Sequence, residues 1–374
     1  MIYFDNAATS RYKPRAVKRA VTECIDHSAN PGRASHDEAI RGAMTVERTR
    51  CALTRYLDAK RANVVFTKNC TEALNLAILG TARPGSHVVT TNLEHNSVLR
   101  PLYMLKKEGL ISLTVIDKKD GSVTAKDIAE NITDKTYLVA VTAMSNVTGY
   151  APPLAEIGEL CTQRGIKLLV DGAQAIGHIP ISFDKIGIDL LCGAGHKSLH
   201  GIMGSGFLIY SKRIFVNPLM YGGTGTESDS LLQPKDPPES LESGTLPLPA
   251  IAALEAGINW TEKNQRKINE KCRDISLFLH EGLNRICLPV YSVPGSPIVT
   301  FDLPPSDSQT VSDILNQEYG ICVRSGLHCA PLIHKALGTN MRGLVRVSIG
   351  YDNTMKQAKR LLYAIGEIKE RLTT

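Results

Sequence analysis

The chain has 374 residues, a length that suggests two domains, or one large α/β body with a smaller satellite. Hydrophobic residues make up 43% and charged residues 21% of it, which excludes a disordered chain, a collagen-like repeat and a coiled coil. The net charge of +6 is mild, and no block of lysine and arginine concentrates it. We therefore expect no direct contact with nucleic acid.

No segment of the sequence reads as an export or membrane signal. Residues 1–9 lack a basic region followed by an apolar stretch, and no apolar run reaches about 18 residues. The nine cysteines are scattered and contain no CxxC pair, so they do not indicate a disulfide framework. We expect a cytoplasmic protein with reduced cysteines, no membrane contact and no metal.

Short apolar runs alternate with helical stretches over the first 255 residues. The runs are continuous rather than alternating, which is typical of strands buried on both faces in a mostly parallel sheet covered by helices. We predict helices over 71–80 and 153–164. The predicted strands are 64–66, 87–90, 113–116, 137–141, 166–170, 188–192 and 207–210.

The composition changes over residues 222–249, where Gly, Thr, Ser and Pro predict a long loop of the kind that is usually functional. A helical pattern then runs from about Ala250 to about Asn284. Short strands and helices follow and predict a smaller α+β domain. The strands are 298–301, 320–323 and 344–349, and the helices are 308–318 and 354–372.

The fold class we predict is α/β, with a large domain over 14–255 and a small domain over 256–374. The segment 1–13 is expected to pack with the small domain.

Two candidate residues follow neighbouring strands. Asp171 ends one apolar run, where open α/β sheets bind ligands, although a strand-end Asp often only caps a turn. Lys197 follows the next run and a Gly-rich turn, where partial desolvation would lower the lysine pKa and free a nucleophilic amine. The alternative is an exposed loop lysine. Together the pair suits pyridoxal phosphate, which needs a lysine and an acid for its ring nitrogen.

Two other turns carry polar side chains after strands. Thr71 is a candidate N-cap, and the helix start behind it would face an anion such as phosphate. The alternative is an ordinary cap that holds nothing. His95 is able to stack on a planar ring or move a proton, although a histidine in a turn is more often structural.

The small domain offers a thiol and a guanidinium. Cys329 lies in a loop that contains Gly and Pro, with His328 beside it and Arg324 nearby, so local positive charge would favour the thiolate. The alternative is an unreactive thiol. Arg346 interrupts an apolar strand and suits a substrate carboxylate, unless it only faces solvent from an edge strand.

Ten short motifs follow one another along essentially the whole chain. They are DNAAT at 5–9, NPGRASH at 30–36, NCTEALN at 69–75, EHNS at 94–97, SNVTG at 145–149, VDGAQ at 170–174, GHK at 195–197, ESGT at 242–245, VRSGLHCAP at 323–331 and RVSIGYDNT at 346–354. With these motifs the chain resembles the cysteine desulfurases, which are fold-type I, class V aminotransferase-like pyridoxal phosphate enzymes.

The resemblance implies a role for each matching residue around the cofactor. Lys197 would bind pyridoxal 5'-phosphate covalently, Asp171 would pair with the pyridinium nitrogen, and Gln174 would contact the ring hydroxyl. His95 would stack on the ring and act in catalysis. Thr245 would come from the partner subunit, which implies a homodimer. The residues that would hold the phosphate are Cys70, Thr71 and His196.

The resemblance also implies a reaction. Arg346 would bind the carboxylate of L-cysteine, with Asn146 and Arg324 as further substrate contacts. Cys329 would take the sulfur as a persulfide while alanine leaves. The loop RSGLHCAP looks like that of the short-loop branch, in which a dedicated acceptor protein comes to the persulfide. The start of the chain is similar to the long-loop branch instead.

Two positions depart from the family pattern. Ala194 stands where a phosphate-binding Ser is usual, and Ser240 replaces a frequent Arg. Other activities stay open on this scaffold: a selenocysteine lyase, another class V aminotransferase-type enzyme, or an idle sulfur-relay adaptor. Iron–sulfur cluster assembly, tRNA thiolation and a narrower maturation pathway are all open as the destination of the sulfur.

Overall fold

The computed structural model describes residues 1–31 and 34–373, and within them it has eleven strands and eleven α-helices. The strands are β1 (Ile2–Tyr3), β2 (Ala62–Thr67), β3 (Ser86–Thr91), β4 (Ile111–Ile116), β5 (Thr136–Thr142), β6 (Lys167–Asp171), β7 (Leu190–Ala194), β8 (Gly206–Ser211), β9 (Ile298–Phe301), β10 (Ile321–Cys322) and β11 (Val345–Ser348). The helices are α1 (Arg15–His27), α2 (Asp37–Tyr56), α3 (Cys70–Gly80), α4 (Asn96–Lys107), α5 (Ala125–Ala129), α6 (Leu154–Arg164), α7 (Phe183–Ile186), α8 (Leu248–Arg285), α9 (Ser308–Tyr319), α10 (Pro331–Ala336) and α11 (Met355–Thr373).

A seven-stranded sheet in the order β2-β8-β7-β6-β5-β3-β4 lies at the centre of the molecule. Six of its strands share one direction, and β8 runs antiparallel to both of its neighbours. The strands are apolar on both faces because helices cover both. In β6, for example, Leu168 and Val170 pack against one set of helices and Leu169 against the other. The predicted α/β class and mostly parallel seven-stranded sheet are confirmed.

The carboxyl ends of the parallel strands meet at one edge of this sheet. Turns leave that edge after Thr67, Thr91, Thr142, Asp171 and Ala194, and each is followed by one of the motifs named above. Register pairs Thr142 with Asp171, and Asp171 with Cys192. The topology therefore places these motifs side by side, although they are far apart in sequence.

A second apolar core forms around the C-terminal half of α8, with β9, β11, α9 and α11 against it. Strands β9 and β11 pair antiparallel, and β1 pairs parallel with β10. The start of the chain thus joins this C-terminal part, with Phe4 also buried in its core. The helix α8 continues unbroken across residue 255, where we placed the domain boundary, so the two parts share one helix.

The long segment before α8 contains one short 3-10 helix, Glu239–Leu241, and otherwise turns. Among the described residues, no helix is both long and apolar enough to span a bilayer.

Candidate active site

A cavity of about 170 Å³ opens at the carboxyl edge of the seven-stranded sheet. It lies between the ends of β5, β6 and β7 and the first turns of α3 and α4. The structure brings together eight of the residues selected from the sequence, all of which line this cavity. They are Cys70, Thr71, His95, Asn146, Asp171, Gln174, His196 and Lys197.

Lys197 is partly buried in this cavity, and desolvation lowers the pKa of its ammonium group. The nearby Cys70 and Asp171 act in the opposite direction, while Arg346 and Arg324 lower the pKa further. Lys197 Nζ forms no hydrogen bond or ion pair with any described residue. A desolvated amine held in this way is available to a carbonyl compound.

Asp171 ends β6, and its carboxylate is held by two groups. Oδ1 accepts a hydrogen bond from Ala173 N at 2.9 Å and one from Cys70 Sγ at 3.6 Å. Burial and the adjacent carboxylate raise the pKa of the Cys70 thiol well above its usual value, so the thiol stays protonated and donates. Asp171 therefore keeps accepting capacity for a group in the cavity.

The first turn of α3 faces the same cavity. Asn69 is the N-cap, its side-chain oxygen accepting from Glu72 N at 2.9 Å. Thr71 Oγ1 lies 2.8 Å from Ser97 Oγ. The two hydroxyls therefore lie together at the N-terminal end of α3, where the first backbone amides have no partner within the helix. Ala194 lines the cavity without a hydroxyl of its own. Hydroxyl groups able to bind an anion therefore lie on α3 and α4, whereas Ala194 at the end of β7 supplies none.

His95 is the N-cap of α4 and half-exposed to the cavity. Its Nδ1 accepts from Ser97 N at 3.1 Å and lies 2.9 Å from Ser97 Oγ. Because Nδ1 is an acceptor, the proton of the neutral ring is on Nε2. Burial lowers the pKa of His95, an effect opposed by Asp171. A neutral, oriented ring of this kind can stack on a planar ligand.

His196 and Gln174 complete the wall near the N-terminal segment. Burial lowers the pKa of His196 to about 4, so its ring is neutral, and its Nδ1 is buried without a partner among the described residues. The carbonyl of His196 accepts from Ser10 N at 3.1 Å and from Lys13 Nζ at 3.2 Å. Gln174 Nε2 donates to Ala7 O at 3.1 Å.

Arg346 lies behind the cavity wall rather than in it. Its Nη1 donates to Asn146 O at 3.3 Å, and its Nη2 pairs with Asp5 Oδ1 at 3.0 Å. Its Nε is buried without a partner among the residues described. Arg324, about half exposed, lies 3.5 Å from the other oxygen of Asp5 and does not line the cavity. Arg346 therefore keeps donors for a further carboxylate.

Cys329 lies in the loop between β10 and α10 and is exposed. It lines a groove of about 630 Å³ that shares Thr71, His95 and Ser97 with the cavity. The sequence suggested that charge on His328 would favour the thiolate. In the structure burial lowers the pKa of His328 well below its usual value, and its Nε2 donates to Leu344 O at 3.1 Å. This imidazole is neutral and supplies no positive charge.

Thr245, like Arg324, Cys329 and Arg346, does not line the cavity. It is exposed and lines a separate surface cleft of about 810 Å³ together with Arg50 and Glu242. In the motif NPGRASH, Gly32 and Arg33 lie outside the described residues.

Three functional-looking residues were not singled out from the sequence. Ser97 joins Thr71 to His95, and its motif EHNS was the available signal. Asp5 pairs with Arg346 across 341 residues, which no local pattern reports. Glu94 is fully buried, accepts from Thr91 Oγ1 at 2.7 Å and from Thr142 N at 3.0 Å, and burial raises its pKa to about 8.

Comparison with known proteins identifies the class to which this fold and site belong. The family model described as aminotransferase class-V matches residues 2–361. Probable cysteine desulfurases from Methanothermobacter thermautotrophicus and Pyrococcus abyssi are each 33% identical to this chain. They cover 98% and 100% of it, and 94% and 95% of their own lengths are matched. The chain therefore belongs to the aminotransferase class-V family, within its cysteine desulfurases.

Solved structures agree with this assignment. The apo structure of a cysteine desulfurase from Thermococcus onnurineus superposes with a TM-score of 0.92 and 32% identity, covering 99% of this chain and 94% of that one. The cysteine desulfurase CsdA from Escherichia coli, with an S-sulfonic acid, superposes with a TM-score of 0.86 and 26% identity. The match covers 99% of this chain and 94% of that one.

Proposed function

We propose that this protein is a pyridoxal-phosphate-dependent cysteine desulfurase. It converts L-cysteine to L-alanine and leaves the sulfur on Cys329. The substrate loses its carbon–sulfur bond and gains a carbon–hydrogen bond, while the thiol of Cys329 becomes a persulfide, so the atoms balance. The observation that carries the proposal is the exposed Cys329 thiol in a groove that shares three lining residues with the cavity of Lys197 and Asp171.

The residues of the cavity fit pyridoxal phosphate. Lys197 lines the cavity and its Nζ has no hydrogen-bond or ion-pair partner among the described residues, which suits a covalent bond to the aldehyde. Asp171 has a carboxylate for the ring nitrogen, and His196 Nδ1 is buried and unpaired. The α3 start with Thr71 and Ser97 suits the phosphate. When bound, the cofactor supplies an electron sink for the bond changes at the substrate's carbons.

Each remaining residue has a defined task in this proposal. Lys197 would be the base for the α-proton, because desolvation lowers the pKa of its ammonium group and so favours the neutral amine. His95 is held by Ser97 with its flat face available to the ring. Arg346 binds the substrate carboxylate through donors that Asp5 and Asn146 leave free. The Cys329 thiolate attacks the substrate sulfur.

The proposal includes a homodimer in which Thr245 crosses to the partner's cavity. In one chain Thr245 is exposed and away from the cavity. The same segment exposes Tyr221, Leu231 and Leu232, of which Leu231 is fully exposed and Tyr221 is 74% exposed. Large apolar side chains that are so exposed along one segment are typical of an interface.

An acceptor protein that comes to Cys329 is also part of the proposal, as in the short-loop branch. Residues 323–330 connect β10 to α10 directly, and both carbonyls at the tip are hydrogen-bonded. A loop of this length cannot carry the sulfur far from the groove. We also propose the cytoplasm as its location, because all nine cysteines are free.

The test of the activity is alanine release from L-cysteine by the cofactor-loaded protein in the presence of a reductant. We expect alanine from the wild type and none from Cys329→Ala, with the yellow colour of the cofactor retained in both. Cys322→Ala is the matched control, since Cys322 is a half-buried thiol on β10 outside the groove. Alanine release by Cys329→Ala at the wild-type rate would refute the proposed role of this thiol.

The dimer is tested by mixing two inactive variants, Lys197→Ala and Thr245→Ala. If Thr245 serves the partner's cavity, a mixed dimer has one cavity with both wild-type residues and regains activity. A mixture that stays inactive although subunits exchange would contradict the crossing of Thr245.

A further inference from the structure

The loop that carries Cys329 has an unusual backbone. His328 and Cys329 have φ angles of 50° and 57°, so two consecutive residues with side chains are left-handed. Non-glycine residues adopt this region rarely, and they keep it only where the surroundings hold them in place. The position of the thiol therefore depends on what holds these two residues.

Two hydrogen bonds hold the tip of the loop against the edge of the seven-stranded sheet. Asn146 Nδ2 donates to His328 O at 2.7 Å, and Asn96 N at the start of α4 donates to Cys329 O at 2.7 Å. Within the described part of the chain, these two bonds are the polar links between the loop tip and that edge. Of the two, the bond from Asn146 is made by a side chain, which is free to change partner.

Asn146 is also the neighbour of the guanidinium that would receive the substrate. Arg346 Nη1 donates to the backbone oxygen of Asn146 at 3.3 Å, and Arg346 is 3% exposed. A carboxylate that pairs with Arg346 therefore arrives beside the Asn146 side chain, which lines the cavity. An ionised carboxylate is a stronger acceptor than a peptide carbonyl, so it competes with His328 O for the same N–H.

We propose that Asn146 is a positioning residue that clamps the Cys329 loop and releases it when a substrate carboxylate binds. Without substrate, the clamp keeps the thiol at the mouth of the groove. With substrate, the loop loses one of its two links to the sheet edge and moves more freely, which lets Cys329 reach the substrate sulfur. The identity of the ligand rests on the proposed function, but the clamp itself does not.

The experiment is amide hydrogen exchange of the cofactor-loaded protein, read from peptides that cover residues 324–330. In Asn146→Ala we expect these amides to exchange about two- to ten-fold faster, the factor that one buried hydrogen bond carries. L-alanine, which has the carboxylate, should raise exchange in the wild type and add nothing in Asn146→Ala. L-alaninol, which has the amine without the carboxylate, should leave exchange unchanged.

The matched control is Asn269→Ala, because Asn269 Nδ2 likewise donates to a backbone carbonyl, that of His178, at 2.6 Å. This variant should show wild-type exchange over 324–330. Unchanged exchange in Asn146→Ala would overturn the clamp. If L-alanine does not change exchange in the wild type, the release of the clamp by a carboxylate is overturned. If Asn146→Ala speeds exchange in a protein that releases no alanine from L-cysteine, the clamp stands and the proposed function fails.

Discussion

A buried ion pair links α2 to the segment that carries Thr245. Arg50 Nη2 lies 2.6 Å from Glu242 Oε2, and their side chains are 13% and 6% exposed. Glu242 Oε1 also accepts from Phe66 N at 2.6 Å, and Arg50 donates to Val64 O. The change Glu242→Gln keeps the shape and leaves the Arg50 charge buried without its counter-charge.

Breaking a buried pair in this way costs about 3–5 kcal/mol of the free energy of unfolding. At roughly 2.1 cal/mol/K of unfolding entropy per residue, that cost lowers the Tm of a 374-residue chain by about 4–6 °C. The measurement is calorimetry of the apoprotein. Thr245 follows three residues later, so we also expect Glu242→Gln to lower dimer content.

The matched control is Glu255→Gln, which breaks the pair between Arg48 and Glu255 at 3.2 Å, where the Arg48 side chain is 51% exposed. An exposed pair contributes about 0–1 kcal/mol, so its Tm should fall by at most about 1 °C. Equal shifts in the two variants would refute the claim that burial makes the Arg50–Glu242 pair costly to break.

The remaining predictions concern the cofactor, pH and two glycines. Lys197→Ala should abolish the yellow colour of the cofactor-loaded protein, while Lys167→Ala, at the opposite end of β6, should keep it; a yellow Lys197→Ala would exclude this lysine. Burial lowers the pKa of Lys13 to about 8, so above that pH the unfolded chain binds more protons there than the folded protein. The contribution of Lys13 to stability therefore rises with pH from about 8 to about 10.5. Lys13→Met should remove that contribution to the rise in Tm over this pH range. If Tm changes with pH in parallel in the wild type and in Lys13→Met, this prediction is contradicted. Gly257→Ala places a Cβ 2.1 Å from Leu199 O, and should therefore lower the free energy of unfolding by about 1–3 kcal/mol. Because Leu199 lies two residues after Lys197, we also expect this variant to bind the cofactor more weakly. In Gly366→Ala, the new Cβ in α11 meets no atom within 4 Å, so the change should raise the free energy of unfolding by about 0.5–1 kcal/mol. A loss of stability in this variant would show that helix propensity does not determine the effect of a substitution at this position.

The sequence predicted the sheet because burial on both faces leaves a local trace. Continuous apolar runs such as those in β5 and β6 are needed wherever helices cover both sides, and all seven predicted strands are in the sheet. The grouping of Asp171 with Lys197 also followed from the sequence, because parallel strands end at the same edge. The positions of Thr71 and His95 after strand ends also made them candidates from the sequence, and the family motifs added four further residues that line the cavity. These four are Cys70, Asn146, Gln174 and His196.

What only the tertiary structure decided depends on contacts between distant segments. No local pattern pairs Asp5 with Arg346, or shows that the carbonyl of His328 is held by Asn146. The neutral state of His328 follows from its burial beside Leu344, and the exposure of Thr245 follows from the path of the segment before α8. Hydrophobic periodicity and helix capping depend on residues that are close together in the chain. The charge state of a side chain and the position of a loop depend instead on the packing of the whole folded chain around them.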